Sequence, residues 1–352
     1  MKRDNKRKDT SGAVDLLALA DLVERFEGKR VVVVGDFVAD SFQFGNITRV
    51  SREAPVLILR HRETRILPGG AANATKNLAA LGARVMPITA VGDDAAGNWL
   101  VQAFREMKVD TSGILRIKGA LTPTKTRFLA GWTHTVGQQV LRVDYEPQSQ
   151  LAEKHRNRIQ QLLNAKLKKA DAFAISDYGL GVVNPELIRH ALARAKRNIP
   201  VSLDSRFQLL AYKRAGVTTA TPNEAEMEAL HNTTIGQDVS KLERSGREVL
   251  SEMKLQSLVV TRGKDGMAIF QPGEKTVLIP VHGSDQAVDV TGAGDTVLAA
   301  YTLGLASGAF PVEAAHIANI AGGLVVMKRG TATVSRNELL EAIRKAASEV
   351  AL

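Results

Sequence analysis

The sequence predicts an α/β protein built on a mainly parallel central sheet, with a small β lid standing off it. Three observations carry that expectation. From about residue 151 onward, apolar runs of strand length alternate with segments of helical period, the pattern of parallel strands joined by crossover helices. Carboxylates end several of those runs, as at Asp36, Asp177 and Asp204, where open α/β sheets present a ligand crevice. Two stretches, about 41–65 and 120–146, break the alternation and read instead as antiparallel strands outside the sheet.

Residues 1–12 are predicted to be a disordered basic tail, and residues 13–352 one domain. Helical spacing over 14–26 leads to Arg30-Val31-Val32-Val33-Val34-Gly35-Asp36, a buried strand with a carboxylate at its end. Asp36 is a candidate for gripping ligand hydroxyls and Asp40 a second; either serves equally well as a turn or cap residue. Leu67-Pro68-Gly69-Gly70-Ala71-Ala72-Asn73 is a diglycine turn opening a helix that runs through Leu81. Gly69 and Gly70 permit close backbone approach to a ligand, and Asn73 can donate to and accept from hydroxyls; a tightly packed helix start is the alternative. A strand at 84–91, a helix at 95–107 and a short strand at 114–117 follow. Lys125-Thr126-Arg127-Phe128 and Val140-Leu141-Arg142-Val143-Asp144 flank a turn-prone 131–137, and with 41–65 they make the lid.

The second half reads as a helix at 151–168, a strand at 172–177, a helix from Pro185 and a strand at 200–204. Asn223 and Glu226 then lie three apart on one face of a new helix. They could organise a hydrated Mg²⁺ or merely cap the helix. Residues 257–270 read as two strands around a polar turn, and helices at 292–307, 311–327 and 336–349 close the chain.

Asp289-Val290-Thr291-Gly292-Ala293-Gly294-Asp295-Thr296 carries the most chemistry. An extended run at 286–290 is expected to turn into a helix here, with the amides of Gly292, Ala293 and Gly294 forming a cradle for an anion. The helix field is expected to keep Asp295 ionised near neutral pH, where it could take a proton from a hydroxyl. The alternative is a glycine turn and an acidic capping residue.

Composition excludes several classes. The chain has 352 residues, 44% of them hydrophobic and 24% charged, as soluble globular proteins do. Zero cysteines exclude disulfide frameworks and thiolate zinc sites, and no apolar run or secretory signal points to a membrane. The cytoplasm is therefore the expected location. Of the formal charge of +10, much comes from five basic residues among the first eight, and aromatic residues are only 5%, so no nucleic-acid partner is expected. There is no GxxxxGK[ST] loop, HExxH or GxSxG.

The order of these pieces resembles the ribokinase-like (PfkB) carbohydrate kinases from about residue 28 onward. The early Pro68-Gly69-Gly70-Ala71-Ala72-Asn73, the late Asp289-Val290-Thr291-Gly292-Ala293-Gly294-Asp295, the Asn223…Glu226 pair and Thr261…Gly263 all match in order and place. Within that family the chain is most similar to the heptose-7-phosphate kinases of lipopolysaccharide-core synthesis, through Ser51-Arg52-Glu53-Ala54-Pro55-Val56, Lys125-Thr126-Arg127, 139–146, Ser176-Asp177-Tyr178-Gly179 and Thr221-Pro222-Asn223-Glu224. It departs at Asp204-Ser205-Arg206, where those enzymes usually show Asp-Pro-Lys, and it lacks the nucleotidyltransferase domain often fused behind, which implies a separate adenylyltransferase.

The resemblance implies a ribokinase-like three-layer sandwich and ATP-dependent transfer of a phosphoryl group to a sugar hydroxyl. Asp295 would be the base, with Gly292, Ala293 and Gly294 stabilising the transferring group. Asp36, Gly69, Gly70 and Asn73 would hold the sugar. Lys125, Arg127, Arg142, Arg49 and Arg52 are candidates to clamp a phosphate it carries, or are simply solvated charges. Thr261, Gly263 and Gly266 would lie on the nucleotide side, with Mg²⁺ organised through water by Asn223 and Glu226. A homodimer through the lid strands is expected. The alternatives are a kinase of another sugar and a sugar-binding protein without catalysis.

Overall fold

The computed structural model describes residues 14–131, 138–147, 149–195, 198–283 and 286–350. In chain order its first half comprises α1 (Leu16–Glu24), β1 (Arg30–Gly35), β2 (Phe37–Val50), β3 (Leu57–Gly70), α2 (Ala71–Ala80), β4 (Arg84–Gly92), α3 (Ala95–Glu106), β5 (Ile114–Ile117), β6 (Thr124–Gly131) and β7 (Gln138–Tyr145). Then come α4 (Glu153–Lys166), β8 (Ala172–Asp177), α5 (Pro185–Ala195), β9 (Val201–Ser205), β10 (Thr219–Ala220), α6 (Glu224–His231) and α7 (Val239–Met253). The chain ends with β11 (Ser257–Thr261), β12 (Met267–Phe270), β13 (Val277–Ile279), α8 (Ala293–Ala306), α9 (Pro311–Val325) and α10 (Arg336–Val350).

The valine run of β1 explains the layering, because successive side chains of a strand point to opposite faces. Val31 and Val33 pack with α1, α2, α3, α8, α9 and α10, whereas Val32 and Val34 pack with α4, α5, α6 and α7. The result is a sheet between two helical layers, as expected. Its strand order is β13-β12-β11-β10-β9-β8-β1-β4-β5, parallel except where β12 and β13 run antiparallel to their neighbours. The carboxyl ends of β1, β8, β9, β10 and β11 therefore lie along one edge.

The lid is a second sheet of order β3-β2-β6-β7. Its strands are longer than the sequence suggests: β2 begins at Phe37, with only Asp36 between it and the end of β1, and β3 runs on to Gly70. β2 and β3, and β6 and β7, pair antiparallel as expected, but β2 and β6 join in parallel. The reason is topological, since the chain passes through α2, β4, α3 and β5 between them. Of the expected 131–137 turn, 132–137 lie outside the described residues, as does the 1–12 tail.

Three elements carry no expectation above: α7, β10 and β13. In α7 the signal is present, with Leu242, Val249, Leu250 and Met253 buried at helical spacing behind the Asp238 cap. The expected extended run at 286–290 pairs with no strand. Instead the amides of Val288 and Asp289 both donate to the Val326 carbonyl, at 2.9 and 3.0 Å, so the segment is held by the end of α9. Among the described residues, no helix is long and apolar enough to cross a membrane.

Gly266 has φ 77°, and a Cβ there would lie 2.0 Å from the Ile279 carbonyl oxygen. Its glycine is needed to pack the start of β12 against the end of β13. Gly266→Ala is expected to destabilise the protein by about 2 kcal/mol or more, read as a lower urea midpoint at unchanged slope.

Candidate active site

The first turn of α8 is built by Gly292, which takes φ 78° and approaches Asn73 so closely that a Cβ would sit 2.4 Å from the Asn73 amide nitrogen. No side chain caps this helix. Gly294 is exposed, and a Cβ there would meet nothing within 4 Å, so the positive end of α8 opens to solvent as the cradle requires. Ala293 departs from the expectation, because its amide donates to the Val290 carbonyl at 3.2 Å and is used by the turn. Asp289 steadies the approach, accepting from the amides of Thr291 and Gly330 at 2.9 Å each.

Asp295 lies in the first turn of α8 with only 3% of its surface exposed. One carboxylate oxygen accepts from the Asn73 side-chain amide at 2.7 Å, the other from the Tyr178 hydroxyl at 3.3 Å. Burial raises its pKa to about 7, although the Asn73 and Tyr178 hydrogen bonds oppose the rise. This corrects the expectation of a fully ionised carboxylate at neutral pH. Desolvation outweighs the helix field once the side chain is under the protein surface.

Asn73 is fully buried, with its side-chain amide turned to Asp295. Behind it, Asn77 donates from its amide to the Asn73 carbonyl at 3.0 Å and to the Asn73 side-chain oxygen at 3.3 Å. Asn77 in turn accepts from the Thr296 hydroxyl at 2.9 Å. Asn77, Thr296 and Tyr178 were not anticipated. The signal for Asn77 was its spacing of four from Asn73 on one helix.

Asp36 and Asp40 are both buried. Asp36 is completely buried, and its two oxygens accept from the backbone amides of Tyr178, Leu180 and Val182 at 2.9–3.0 Å. It binds the loop after β8 and thereby sets the backbone of Tyr178. Burial lifts its pKa to about 6 against those amide bonds. Asp40, buried at the base of β2, is the carboxylate whose charge acts on Asp295. A Cβ on Gly69 would lie 2.2 Å from an Asp40 oxygen, which is why a glycine is needed there. Gly70, at φ 57°, starts α2.

Among the expected cations, Lys125 reaches the site. Its ammonium lies 5.4 Å from the Tyr178 ring centre, and burial followed by the nearby Arg206 lowers its pKa. Arg127 is ion-paired with Asp40 and stacked 5.2 Å over Phe42. Arg142 pairs with Asp144 at 2.9 Å on the exposed outer strand β7. Arg49 and Arg52 lie at the hairpin tip; nine residues of strand separate Asp40 from Arg49, about 30 Å. Arg206 was missed as a site residue. It follows β9 and acts electrostatically on Lys125, Tyr178, Asp204 and Glu226, which places it among them.

Asn223 and Glu226 form the capping box of α6: the Asn223 side chain accepts from the Glu226 amide at 2.8 Å, and Glu226 from the Asn223 amide at 3.0 Å. The capping reading of the pair is thus observed, with Asn223 exposed and Glu226 half-buried. Burial raises the Glu226 pKa, and burial followed by the Glu226 charge raises that of Asp204 well above the carboxylate range. Thr261 ends β11 beside Asn223, and Gly263, at φ 55°, is exposed with open space around it. Among the described residues no cluster of three metal-ligating side chains occurs.

Because folding raises the Asp295 pKa from 3.8 to about 7, the stability tied to its neutral form is full below the unfolded value and is lost as pH rises through about 7. The wild-type chain is therefore expected to lose more stability between pH 5 and pH 9 than Asp295→Asn, by on the order of 2 kcal/mol in urea unfolding.

A family model for the pfkB family carbohydrate kinases matches residues 29–338. The bifunctional protein HldE of Geobacter sulfurreducens is 39% identical over 310 residues, covering 88% of this chain and 62% of that protein. HldE of Mesorhizobium japonicum is 38% identical over 326 residues, covering 91% and 63%. The chain thus spans less than two thirds of the length of these relatives. Among solved structures, an Arabidopsis thaliana ribokinase complexed with ribose and ATP superposes with a TM-score of 0.71 at 18% identity, covering 90% of this chain and 99% of the other. Phosphofructokinase-2 from Escherichia coli gives 0.73 at 20% identity, covering 91% and 99%. These two show the ribokinase-like fold. Matched along most of its length by the family model and by relatives near 40% identity, this chain belongs to the pfkB family of carbohydrate kinases.

Proposed function

We propose that the chain transfers the γ-phosphoryl of ATP to O1 of D-glycero-β-D-manno-heptose 7-phosphate, a step toward ADP-heptose and the lipopolysaccharide inner core. The observation that carries the reaction type is the buried Asp295 carboxylate beside the open N-terminus of α8. The substrate rests on the relatives, whose name denotes heptose-7-phosphate kinase joined to heptose-1-phosphate adenylyltransferase.

In this reading Asp295 accepts the proton of the sugar hydroxyl as its oxygen bonds to the γ-phosphorus and the bond to the β–γ bridging oxygen breaks, releasing ADP. The exposed first turn of α8 around Gly294 meets the negative charge of the transferring group. Asp40 and the close-packed Gly69–Gly70 backbone hold the sugar, with Asn73 and Asp36 acting from behind. Lys125 and Arg206 supply the cations for phosphate, in place of the clamp of Arg127, Arg142, Arg49 and Arg52.

The donor set near Glu226 fits Mg²⁺ held through water. Burial raises both Glu226 and Asp204, and the Glu226 charge raises Asp204 further; a nearby dication would restore their charge. When bound, the ion neutralises nucleotide phosphates. Thr261 and Gly263 border the nucleotide, while Gly266 serves the fold alone. A second copy of the chain is the proposed partner through the lid: the outer strand β7 exposes Val140, Leu141 and Tyr145 at 42, 56 and 49%. Cytoplasmic location belongs to the same reading.

A coupled assay of ADP release with heptose 7-phosphate, ribose, fructose and fructose 6-phosphate tests the assignment. Turnover is expected on the heptose phosphate, with kcat/KM falling as pH drops below about 7, where Asp295 protonates. Asp295→Asn is expected to lower kcat by ~10²–10⁴-fold, and unchanged transfer would remove the base. Lys125→Ala is expected to raise KM for the phosphorylated sugar about tenfold or more. Equal activity on sugars with and without a phosphate would defeat the substrate assignment.

A further inference from the structure

We propose that Asn77 and Thr296 are positioning residues for Asp295: a one-way chain of hydrogen bonds from the Thr296 hydroxyl through Asn77 and Asn73 fixes one carboxylate oxygen and leaves the other for the reacting hydroxyl. All four side chains are buried, with exposures of 0% for Asn73, Asn77 and Thr296 and 3% for Asp295. Solvent therefore has no part in ordering them.

The direction of every bond follows from its partners. The Asn73 amide nitrogen faces the Asp295 carboxylate at 2.7 Å and the Gly292 carbonyl at 3.5 Å. An ionised carboxylate and a carbonyl can only accept, so the Asn73 side-chain oxygen must point the other way, toward the Asn77 amide nitrogen at 3.3 Å. The same Asn77 nitrogen faces the Asn73 backbone carbonyl at 3.0 Å, again an acceptor only. The Asn77 oxygen is thereby turned to the Thr296 hydroxyl, which donates to it at 2.9 Å. Flipping either amide would set acceptor against acceptor in a dry interior.

Spacing makes the chain possible. Asn73 and Asn77 stand one turn apart on α2, and Asp295 and Thr296 are adjacent on α8, which packs against α2. Because the Asn73 amide also touches the Gly292 turn, the chain sets the carboxylate in register with the open end of α8. The second Asp295 oxygen meets only the longer Tyr178 contact of 3.3 Å among the described residues. The chain delivers a donor to Asp295, which favours its ionised form. Other groups acting on that carboxylate come from different elements: Asp40 on β2, Lys125 on β6, Tyr178 after β8 and Asp204 on β9. None of them is altered by a change at Thr296.

The proposal rests on Asp295 being the base, and the test separates the two. Thr296→Val keeps the side-chain shape and removes the hydroxyl. It is expected to lower kcat about three- to tenfold with KM for ATP and sugar within about twofold, and to move the acid limb of kcat/KM up by about half a pH unit. Thr296→Ser is expected to restore both. Asn77→Ser, too short to reach Asn73, serves as the second variant with the same expected direction. Independently of turnover, the side-chain amide signal of Asn73 in the substrate-free protein, followed by ¹⁵N–¹H NMR against pH, is expected to report the Asp295 titration and to shift upward in Thr296→Val. An unchanged midpoint and unchanged acid limb in folded Thr296→Val and Asn77→Ser overturn the positioning chain, even if Asp295→Asn abolishes transfer. A shifted midpoint alongside a fully active Asp295→Asn leaves the chain standing and removes the base assignment instead.

Discussion

The structure turns on placing one carboxylate, that of Asp295, under the protein surface at the mouth of a helix. In water such a group ionises well below neutrality. Here burial moves it to about 7, and the surrounding groups limit the penalty by hydrogen bonding. A carboxylate so poised can hold or release a proton near physiological pH, as a base for a hydroxyl must. An exposed carboxylate at the same helix end would be more acidic and less basic. The desolvation that costs stability is the source of the chemistry.

Around that carboxylate, residues divide by whether they face the open cleft or the interior. Asp36 and Asn73 are both at strand and helix ends where ligand contacts are expected, yet both spend their polar atoms on the protein. Asp36 joins β1 to the loop carrying Tyr178, and it is also the single residue between the core sheet and the first lid strand. One buried side chain therefore links the main sheet, the lid and the backbone that carries Tyr178. Asp40 is buried against Arg127, while Lys125 and Arg206 remain on the cleft side. Lys125 and Arg206 repel each other there, so an anion bound between them would relieve that repulsion.

Much of the fold was legible because it depends on local periodicity. The alternating valines of β1, the helical stripes of α8 and α9, and the glycine turns at Gly69–Gly70 and Gly292–Gly294 state their conformations in the order of their residues. The capping box at Asn223 and Glu226 was legible in the same way. Less legible were β10 and β13, of two and three residues, whose pairing comes from neighbours distant in the chain. The parallel joint of β2 and β6 is likewise set by a long connection and not by either strand's composition.

By itself, the sequence determined which residue types stand where backbone turns expose amides, and so the candidate base, the helix start and the class of reaction. Tertiary structure alone decided which polar side chains look outward. Asp36 and Asp40 are four residues apart with similar surroundings in sequence, but packing gives one to the amides of the 178–182 loop and the other to Arg127, from where its charge acts on Asp295. Arg127 and Lys125 likewise differ only in which carboxylate or ring the folded chain brings to them. Side-chain availability and pKa depend on neighbours brought from more than a hundred residues away, and no local pattern encodes those neighbours.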